Sequence, residues 1–276
     1  MVKIISDSST LYSVNEGNEI GLTIVPLSVS INNKSYREFE DINSKEFVDI
    51  IKEGHIPTTS QPSIGEKDEV YNKITDEVID LTMADGLSGT YHSALVAKDM
   101  ANDPSHIHVV NTKTLCGPHR HIVNKALNLA NEGLSAKEVI DGVKESIDNG
   151  GSFLIPNDFS YLRRGGRLSP IAATLGGLMR IVPVLILSDD GKTLHKHAVK
   201  KTFKKAVLDI IDYLKDKGVD DSYYLSISHG LNEEWRDIAV NLIETELNIK
   251  AEVFELSPAF ITQGGPGCVA IQYCKK

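Results

Sequence analysis

Short apolar segments alternate with amphipathic ones over the first half of the chain, and this alternation constrains the fold more than any other feature. The candidate strands are VKIISD, LTIVPLSVSI, EVIDLTM and HIHVVNT. The helical patterns between them include SKEFVDIIKEG, KDEVYNKITDE and TYHSALVAKDMA. Such alternation is typical of a parallel sheet that helices cover on both faces. The sequence therefore predicts an α/β fold.

The pattern changes near Gly150 and Gly151. Two consecutive helical segments precede this point, and Ser135 is the N-cap candidate of the second. Beyond it, a turn signal at 189–191 (Asp-Asp-Gly) separates two apolar strands, which indicates an antiparallel hairpin. We predict two α/β domains. Residues 1–150 would form a mostly parallel sheet covered by helices on both faces, and residues 151–276 a mixed sheet.

Composition excludes several classes of protein. The chain has 276 residues and a formal net charge of −9, whereas a domain that wraps nucleic acid usually carries a basic face. The segment MVKIISDSST lacks the charged start and long apolar stretch of a secretory signal. Cys116, Cys268 and Cys274 form no Cys-x-x-Cys pair and indicate free thiols. We expect a cytoplasmic protein that uses no cofactor and binds no nucleic acid.

The apolar segment from Leu168 to Leu187 has the length of a membrane span. Arg180 lies inside it and Pro183 follows three residues later. A charge at the bilayer centre needs a partner, and the sequence offers no second span. We therefore predict a short helix, a turn and a buried strand, with no integral membrane segment. Such a segment is also suited to the wall of a cavity for a long apolar ligand.

The stretch DGLSGTYHSA, residues 85–94, connects a predicted strand to a predicted helix. A loop at the carboxyl end of a parallel strand that runs into a helix amino terminus favours an anion. Ser88 offers a hydroxyl, and Gly86 and Gly89 allow close backbone approach. The same residues also suit a plain N-cap and turn, and the loop alone does not separate the two interpretations. It lacks the glycine patterns of a P-loop, a nucleophile elbow and a dinucleotide fingerprint.

A second cluster of hydroxyls is TTSQPS, residues 58–63, which precedes another predicted helix. Pro62 and Ser63 fit a helix start. Two hydroxyl-rich helix starts in one parallel sheet could converge on a carboxylate. Basic clusters in YLRRGGRLSP and KKTFKKA would supply a positive field if they faced these loops. Three histidine pairs lack accompanying ligands at a recognised spacing, so we expect no metal site.

Eight motifs that span nearly the whole chain resemble the DegV family, the fatty-acid-binding proteins of bacteria. They are SDSS, TSQPS, GLSGTYHSA, YLRRGGRLSP, GGLMRIVPVL, GKTLHKHAVKKTFKKA, ISHG and QGGPG. The resemblance implies two α/β domains with a fatty acid buried between or within them. It also implies a partner, because some members present their fatty acid to a separate ATP-dependent kinase. That kinase makes the acyl phosphate for phospholipid synthesis, and the binding subunit carries no ATP chemistry.

The resemblance also assigns residues. Thr59 and Ser88 would bind the carboxylate, with Ser60 and Gln263 in its surroundings. Gln263 stands where the family usually has histidine, and Lys201 where it often has arginine; Lys201 would act in phosphoryl transfer or partner binding. The candidate wall residues for the acyl chain are Leu168, Ile171, Leu175, Leu178 and Ile181.

The resulting hypothesis is a lipid-binding protein that holds one long-chain fatty acid and is not itself an enzyme. An alternative is a phosphotransferase or hydrolase that acts on a small anionic substrate at the carboxyl edge of the sheet. No nucleophile–base signature supports it; His92 lies four residues beyond Ser88, and nothing in the sequence orients the pair. A third hypothesis is a regulatory protein whose ligand only adds stability.

Overall fold

The computed structural model describes residues 1–174 and 181–276, which form three sheets and the helices packed on them. The strands are β1 Lys3–Asp7, β2 Thr23–Val25, β3 Ser28–Ile31, β4 Lys34–Arg37, β5 Thr58–Ser60, β6 Val78–Thr82, β7 Ile107–Asn111, β8 Gly150–Ile155, β9 Val182–Leu187, β10 Leu194–Lys200, β11 Tyr223–His229, β12 Ala251–Glu255 and β13 Val269–Lys275. The helices are α1 Val14–Glu19, α2 Ser44–Lys52, α3 Ile64–Lys73, α4 Thr90–Met100, α5 Cys116–Asn131, α6 Ala136–Asp148, α7 Phe159–Gly165, α8 Pro170–Ala173, α9 Phe203–Asp216, α10 Glu233–Leu247 and α11 Pro258–Gly264.

Strands β2, β1, β6 and β7 pair in that order to form a parallel sheet. Successive side chains of a strand point to opposite faces, so Ile4 and Ile5 of β1 enter different cores. Ile4 packs in a cluster with residues of α5 and α6, and Ile5 in a cluster with residues of α3 and α4. This confirms the prediction of a parallel sheet that helices cover on both faces.

The segment LTIVPLSVSI, predicted as one strand, forms two strands, and this changes the position of the TTSQPS segment. Pro26 follows β2, and a proline has no N–H with which to continue a ladder. The chain then leaves the parallel sheet, and β3 pairs with β4 and β5 in a separate antiparallel sheet. Residues Thr58–Ser60 therefore form strand β5 of this small sheet. The expectation that TTSQPS and DGLSGT are two helix starts of one parallel sheet was wrong on this point.

The second half of the chain builds a mixed sheet with the strand order β10-β9-β8-β13-β11-β12. The predicted hairpin around 189–191 is confirmed, since β9 and β10 pair in antiparallel register. Helices α9 and α10 cover one face and pack a core that includes Phe153, Ile211 and Ile243. The other face turns toward the first half of the chain. The sheet begins at Gly150, and the domain boundary near Gly150–Gly151 stays a prediction.

Buried polar contacts connect the parallel sheet, the small antiparallel sheet and helix α11. The Glu38 carboxylate accepts hydrogen bonds from Ser8 Oγ at 2.7 Å, Ser257 Oγ at 2.7 Å and the Ala259 amide at 2.5 Å. These donors lie after β1 and at the start of α11, so one side chain joins the parallel sheet, the small sheet and the carboxy-terminal helix. Desolvation raises the pKa of Glu38, which is fully buried.

The apolar segment from Leu168 to Leu187 contains the predicted short helix and buried strand, which are α8 and β9. Ser169 caps α8 by accepting a hydrogen bond from the Ala172 amide, and Pro170 occupies the first helical position. None of the helices in the described part of the chain is long and apolar enough to cross a membrane.

Candidate ligand-binding site

An apolar cavity lies between the mixed sheet and the loops that follow the parallel sheet. Its volume is about 100 Å³, below the roughly 300–1,000 Å³ that small-molecule sites occupy. The parallel-sheet half contributes Met83, Leu87, Leu115 and Cys116. The mixed-sheet half contributes Ser152, Phe153, Leu154, Leu162, Arg167, Leu187, Leu194, Leu256, Phe260, Gln263, Gly264, Cys268, Ala270 and Gln272.

A separate pocket beside this cavity, called the mouth below, is polar and basic. It is lined by Pro57, Thr58, Thr59, Tyr161, Arg164, Gly165, Arg167, Thr262 and Gln263. Arg167 and Gln263 line both the mouth and the apolar cavity, so the two spaces adjoin at these side chains. No acidic side chain of the described residues lines the mouth. In a protein of net charge −9, this is a local positive field suited to an anion.

Thr59 and Gln263 meet at the mouth although they lie far apart in the sequence. Helix α11 packs against β5, and Gln263 Nε2 donates a hydrogen bond to Thr59 Oγ1 at 3.1 Å. A threonine hydroxyl that accepts in this way still has its own proton to donate. The Thr59 O–H is therefore available to an anion at the mouth.

The Gln263 carbonyl lies against the end of helix α7. Its Oε1 is buried and accepts no hydrogen bond from the described residues. A Cβ at position 165 would overlap this oxygen, so glycine at 165 provides the space that the Gln263 side chain fills. A neutral amide thus occupies the position at which the resemblance leads us to expect a histidine.

Arg167 is a positive group that lines both spaces, and the sequence indicated it only as part of the YLRRGGRLSP cluster. Its Nε donates to the Leu87 carbonyl at 3.0 Å, and Nη1 donates to the Gly165 carbonyl. Burial lowers the pKa of this guanidinium, because desolvation disfavours the charged form. A guanidinium partly stripped of water and bonded to neutral carbonyls favours a bound carboxylate. The RRGGR run at 163–167 was the available sequence signal, but its distance along the chain from the hydroxyl segments gave no indication that they meet.

The DGLSGT loop lies where the sequence predicts, between β6 and α4. Within it, Ser88 Oγ lies 2.8 Å from Thr90 Oγ1 and accepts from the Thr90 amide at 3.3 Å. Ser88 does not line the cavity or the mouth as the described residues define them. Ser60 is exposed in β5, where it pairs with Ser28. The structure therefore brings Thr59 and Gln263 together, and the roles of Ser88 and Ser60 stay predictions.

The remaining candidate residues from the sequence differ in how close they lie to the cavity. Leu168 is half-buried and packs beside cavity residues Leu187 and Leu194. Ile171 is 73% exposed and does not line the cavity, because Ala172 is the residue of α8 that packs inward. Ile181 is half-buried immediately before β9. Leu175 and Leu178 lie outside the described residues. Lys201 is exposed just before α9 and lies outside both linings.

Sequence reasoning missed most of the cavity wall. Cys268, Ala270 and Gln272 line it at every second position, as expected for one face of a strand. The neighbouring strand β8 lines it with three consecutive residues, Ser152, Phe153 and Leu154. The signal was present in CVAIQYC and SFLIP, but both faces of these strands are covered, so alternation of polar and apolar residues does not show which face lines a cavity.

The chemistry of the wall does not favour covalent catalysis. Burial raises the pKa of Cys268 to about 12 and places that of Cys116 well above its ordinary value. Both thiols are therefore protonated near neutral pH and are poor nucleophiles. His92 Nε2 lies 3.3 Å from Asp85 Oδ1, while Ser88 contacts Thr90. Within residues 1–174 and 181–276 no three His, Cys, Asp or Glu side chains are grouped as metal ligands would be.

Fold and site together define an α/β protein of two main sheets, with an apolar cavity between them and a basic, hydroxyl-bearing mouth. A family model described as "Uncharacterised protein, DegV family" matches residues 1–276. The chain belongs to the DegV family. The resemblance drawn from the eight sequence motifs is thereby confirmed.

Known relatives match over almost their whole length. A DegV domain-containing protein of Caldanaerobacter subterraneus subsp. tengcongensis is 33% identical over 255 residues, which are 91% of this chain and 89% of that protein. A solved DegV family protein of Thermus thermophilus, described by its fatty acid binding, has a TM-score of 0.89 and 25% identity. DegV of Bacillus subtilis, described as a fatty acid binding protein, has a TM-score of 0.85 and 26% identity. Each structural comparison covers 100% of this chain and 99% of the other. The predicted fold class is confirmed.

Proposed function

We propose that the protein binds one long-chain fatty acid, with the tail in the apolar cavity and the carboxylate at the mouth. The observation that carries this proposal is the adjacency of the two spaces at Arg167 and Gln263. A ligand that fills both must have an apolar body and an anionic head. Thr59 donates its hydroxyl proton to the carboxylate, and Arg167 supplies the charge.

The energetics of the site agree with this division of roles. Each buried methylene contributes about 0.8 kcal/mol of transfer free energy, so the tail provides affinity. A carboxylate stripped of water costs many kcal/mol unless hydrogen bonds or a counter-charge replace the solvent. The mouth offers both through Thr59 and the two arginines. The head group therefore determines orientation, and the tail determines affinity.

The related structures support the same proposal. The Thermus thermophilus and Bacillus subtilis proteins are both described as fatty acid binding, and they share this fold over the full chain. The apolar wall also favours a lipid over the small anionic substrate of the alternative enzyme hypothesis, which requires a polar pocket. On this proposal the protein is a lipid-binding protein and catalyses no reaction alone.

We further propose, from the family resemblance, that the bound acid is presented to a separate ATP-dependent kinase for acyl-phosphate formation and phospholipid synthesis. Lys201 is exposed and thus accessible to a partner. Gln263 can donate a hydrogen bond but carries no charge, unlike a protonated histidine. We expect phosphoryl transfer to be more sensitive than acid binding to this difference. The cytoplasmic location expected from the sequence stays a prediction.

Removal of the charge at the mouth tests the binding proposal. We expect Arg167→Met to weaken binding of a long-chain acid by about tenfold or more, because a hydrogen bond to a charged group is worth roughly 1.5–3 kcal/mol. Thr59→Val should act in the same direction. Binding of the alcohol of equal chain length should change far less, since its head carries no charge. Titration calorimetry with both ligands measures the difference.

Arg163→Met is the matched control, because Arg163 lies on helix α7 four residues before Arg167, is exposed and lies outside both linings. It removes the same charge and should leave both affinities unchanged. Equal losses for acid and alcohol in Arg167→Met would show that the residue only supports the fold. Ser88→Ala, measured in the same way, tests the role in carboxylate binding that the resemblance assigns to Ser88.

A further inference from the structure

One wall of the apolar cavity carries a buried polar pair. Gln272 of β13 and Ser152 of β8 are direct cross-strand partners. Gln272 Nε2 donates to Ser152 Oγ at 3.0 Å and to the Leu115 carbonyl at 2.9 Å. The side chain therefore spans from the mixed sheet to the loop before α5, across the end of the cavity.

A second cavity lies on the other side of this pair. It is polar and is lined by Lys113, Thr114, Ser146, Ile147, Asp148, Gly150, Gly151, Ser152, Ile186, Leu187, Ser188, Asp189, Tyr213, Tyr273 and Cys274. Ser152 and Leu187 belong to both linings. Along one face of β13, Cys268, Ala270 and Gln272 line the apolar cavity, whereas Cys274, the next residue on that face, lines the polar one. Gln272 thus lies at the boundary between the apolar cavity and the polar cavity.

The Gln272 side chain is held rigidly at this boundary. It is 1% exposed, and its amide nitrogen is committed to two acceptors. Its Oε1 is buried and accepts no hydrogen bond from the described residues. An apolar tail that passed this point would have to displace the amide and break both hydrogen bonds, which leaves buried polar groups unpartnered.

We propose that Gln272, held by Ser152, is the floor of the apolar cavity and sets the longest acyl chain that the protein accepts. This inference rests on the proposed function. Acids whose tail ends before Gln272 gain affinity with each added methylene, by about fourfold for 0.8 kcal/mol. Beyond that length the affinity falls, because the amide blocks the tail.

The test is the chain-length profile of binding. Wild type and Gln272→Ala are titrated with saturated fatty acids of increasing length. The first acid beyond the wild-type maximum should bind the variant roughly fourfold more tightly or better. Acids shorter than the maximum should bind both proteins with equal affinity. Equal affinity would show that the substitution leaves carboxylate binding at the mouth unchanged.

Two further variants test whether the bulk of the side chains along this strand face limits the length of the acyl chain. Gln272→Leu retains the bulk of the side chain without its polar atoms, and it should keep the wild-type maximum. Ala270→Leu fills the cavity about 7 Å nearer the mouth on the same strand face, and it should move the maximum to shorter acids. This prediction holds even if Gln272→Ala does not fold.

The outcomes separate the two proposals. A wild-type protein that binds none of the acids contradicts the proposed function itself. A wild type that binds acids, with the same maximum in Gln272→Ala, overturns the floor alone. A maximum that moves as far in Gln272→Leu as in Gln272→Ala also overturns it, because the bulk of the side chain would then not be the barrier.

Discussion

His119 of α5 shows how a single buried polar residue is accommodated in the core. It is fully buried; Nδ1 lies 2.6 Å from Ser9 Oγ, and Nε2 lies 3.1 Å from the Leu81 carbonyl and 3.2 Å from Ser6 Oγ. A neutral ring with its proton on Nε2 donates to the Leu81 carbonyl and accepts from Ser9. Desolvation lowers the pKa of His119, so the folded protein holds the neutral form.

This arrangement predicts a pH dependence of stability. Below about pH 6.5 the unfolded chain binds a proton at this histidine, and the folded chain does not until lower pH. The contribution of His119 is therefore present above its unfolded pKa and is lost as pH falls. We expect the stability advantage of wild type over His119→Gln to shrink by about 1 kcal/mol between about pH 7.5 and 5.5. Urea denaturation at both pH values measures it, and an unchanged advantage would contradict a neutral buried histidine.

At the scale of elements, a buried ion pair fixes helix α3 against strand β6. Lys67 Nζ donates to Asp80 Oδ2, Tyr71 Oη donates to the same oxygen at 2.5 Å, and all three side chains have no exposure. Helix α3 follows the Thr59 strand and β6 precedes the DGLSGT loop. The pair thus determines how these two segments lie relative to each other.

Lys67→Met should lower the free energy of unfolding by roughly 3–5 kcal/mol, because it leaves a buried carboxylate without its counter-charge. The matched control is Lys73→Met on the same helix, whose partner Glu69 is exposed at 3.6 Å; exposed pairs contribute little. Lys67→Met/Asp80→Leu should regain much of the loss. Denaturant unfolding measures all three variants. A cost for Lys67→Met no larger than that for Lys73→Met would contradict the role of the pair.

Elements were more predictable from the sequence than their partners were. Strand–helix alternation and the 189–191 turn are local signals, and both were read correctly. The sequence did not show that Thr58–Ser60 form a strand, because a three-residue strand has too few positions to show a period. Its partner β3 begins after Pro26, whereas the sequence pattern had predicted a single strand across this proline. The contact between Thr59 and Gln263 spans most of the chain, and only the family resemblance placed both residues near one ligand.

At the scale of the whole molecule, the cavity exists because the two halves do not pack face to face throughout. The parallel-sheet half supplies Met83, Leu87 and Leu115, and the mixed-sheet half closes the space with residues of β8 and β13. Each half alone would expose an apolar surface to water. We expect a ligand that fills this space to stabilise the folded protein by linkage.

The central claim is most directly tested by identifying what the purified protein carries. An organic extract of the protein is analysed by mass spectrometry, together with a native mass spectrum of the intact chain. We predict a long-chain fatty acid in a one-to-one ratio to the protein, no longer than the floor at Gln272 allows. A blank extract, from a protein that also fails to bind added palmitate or oleate, would contradict it.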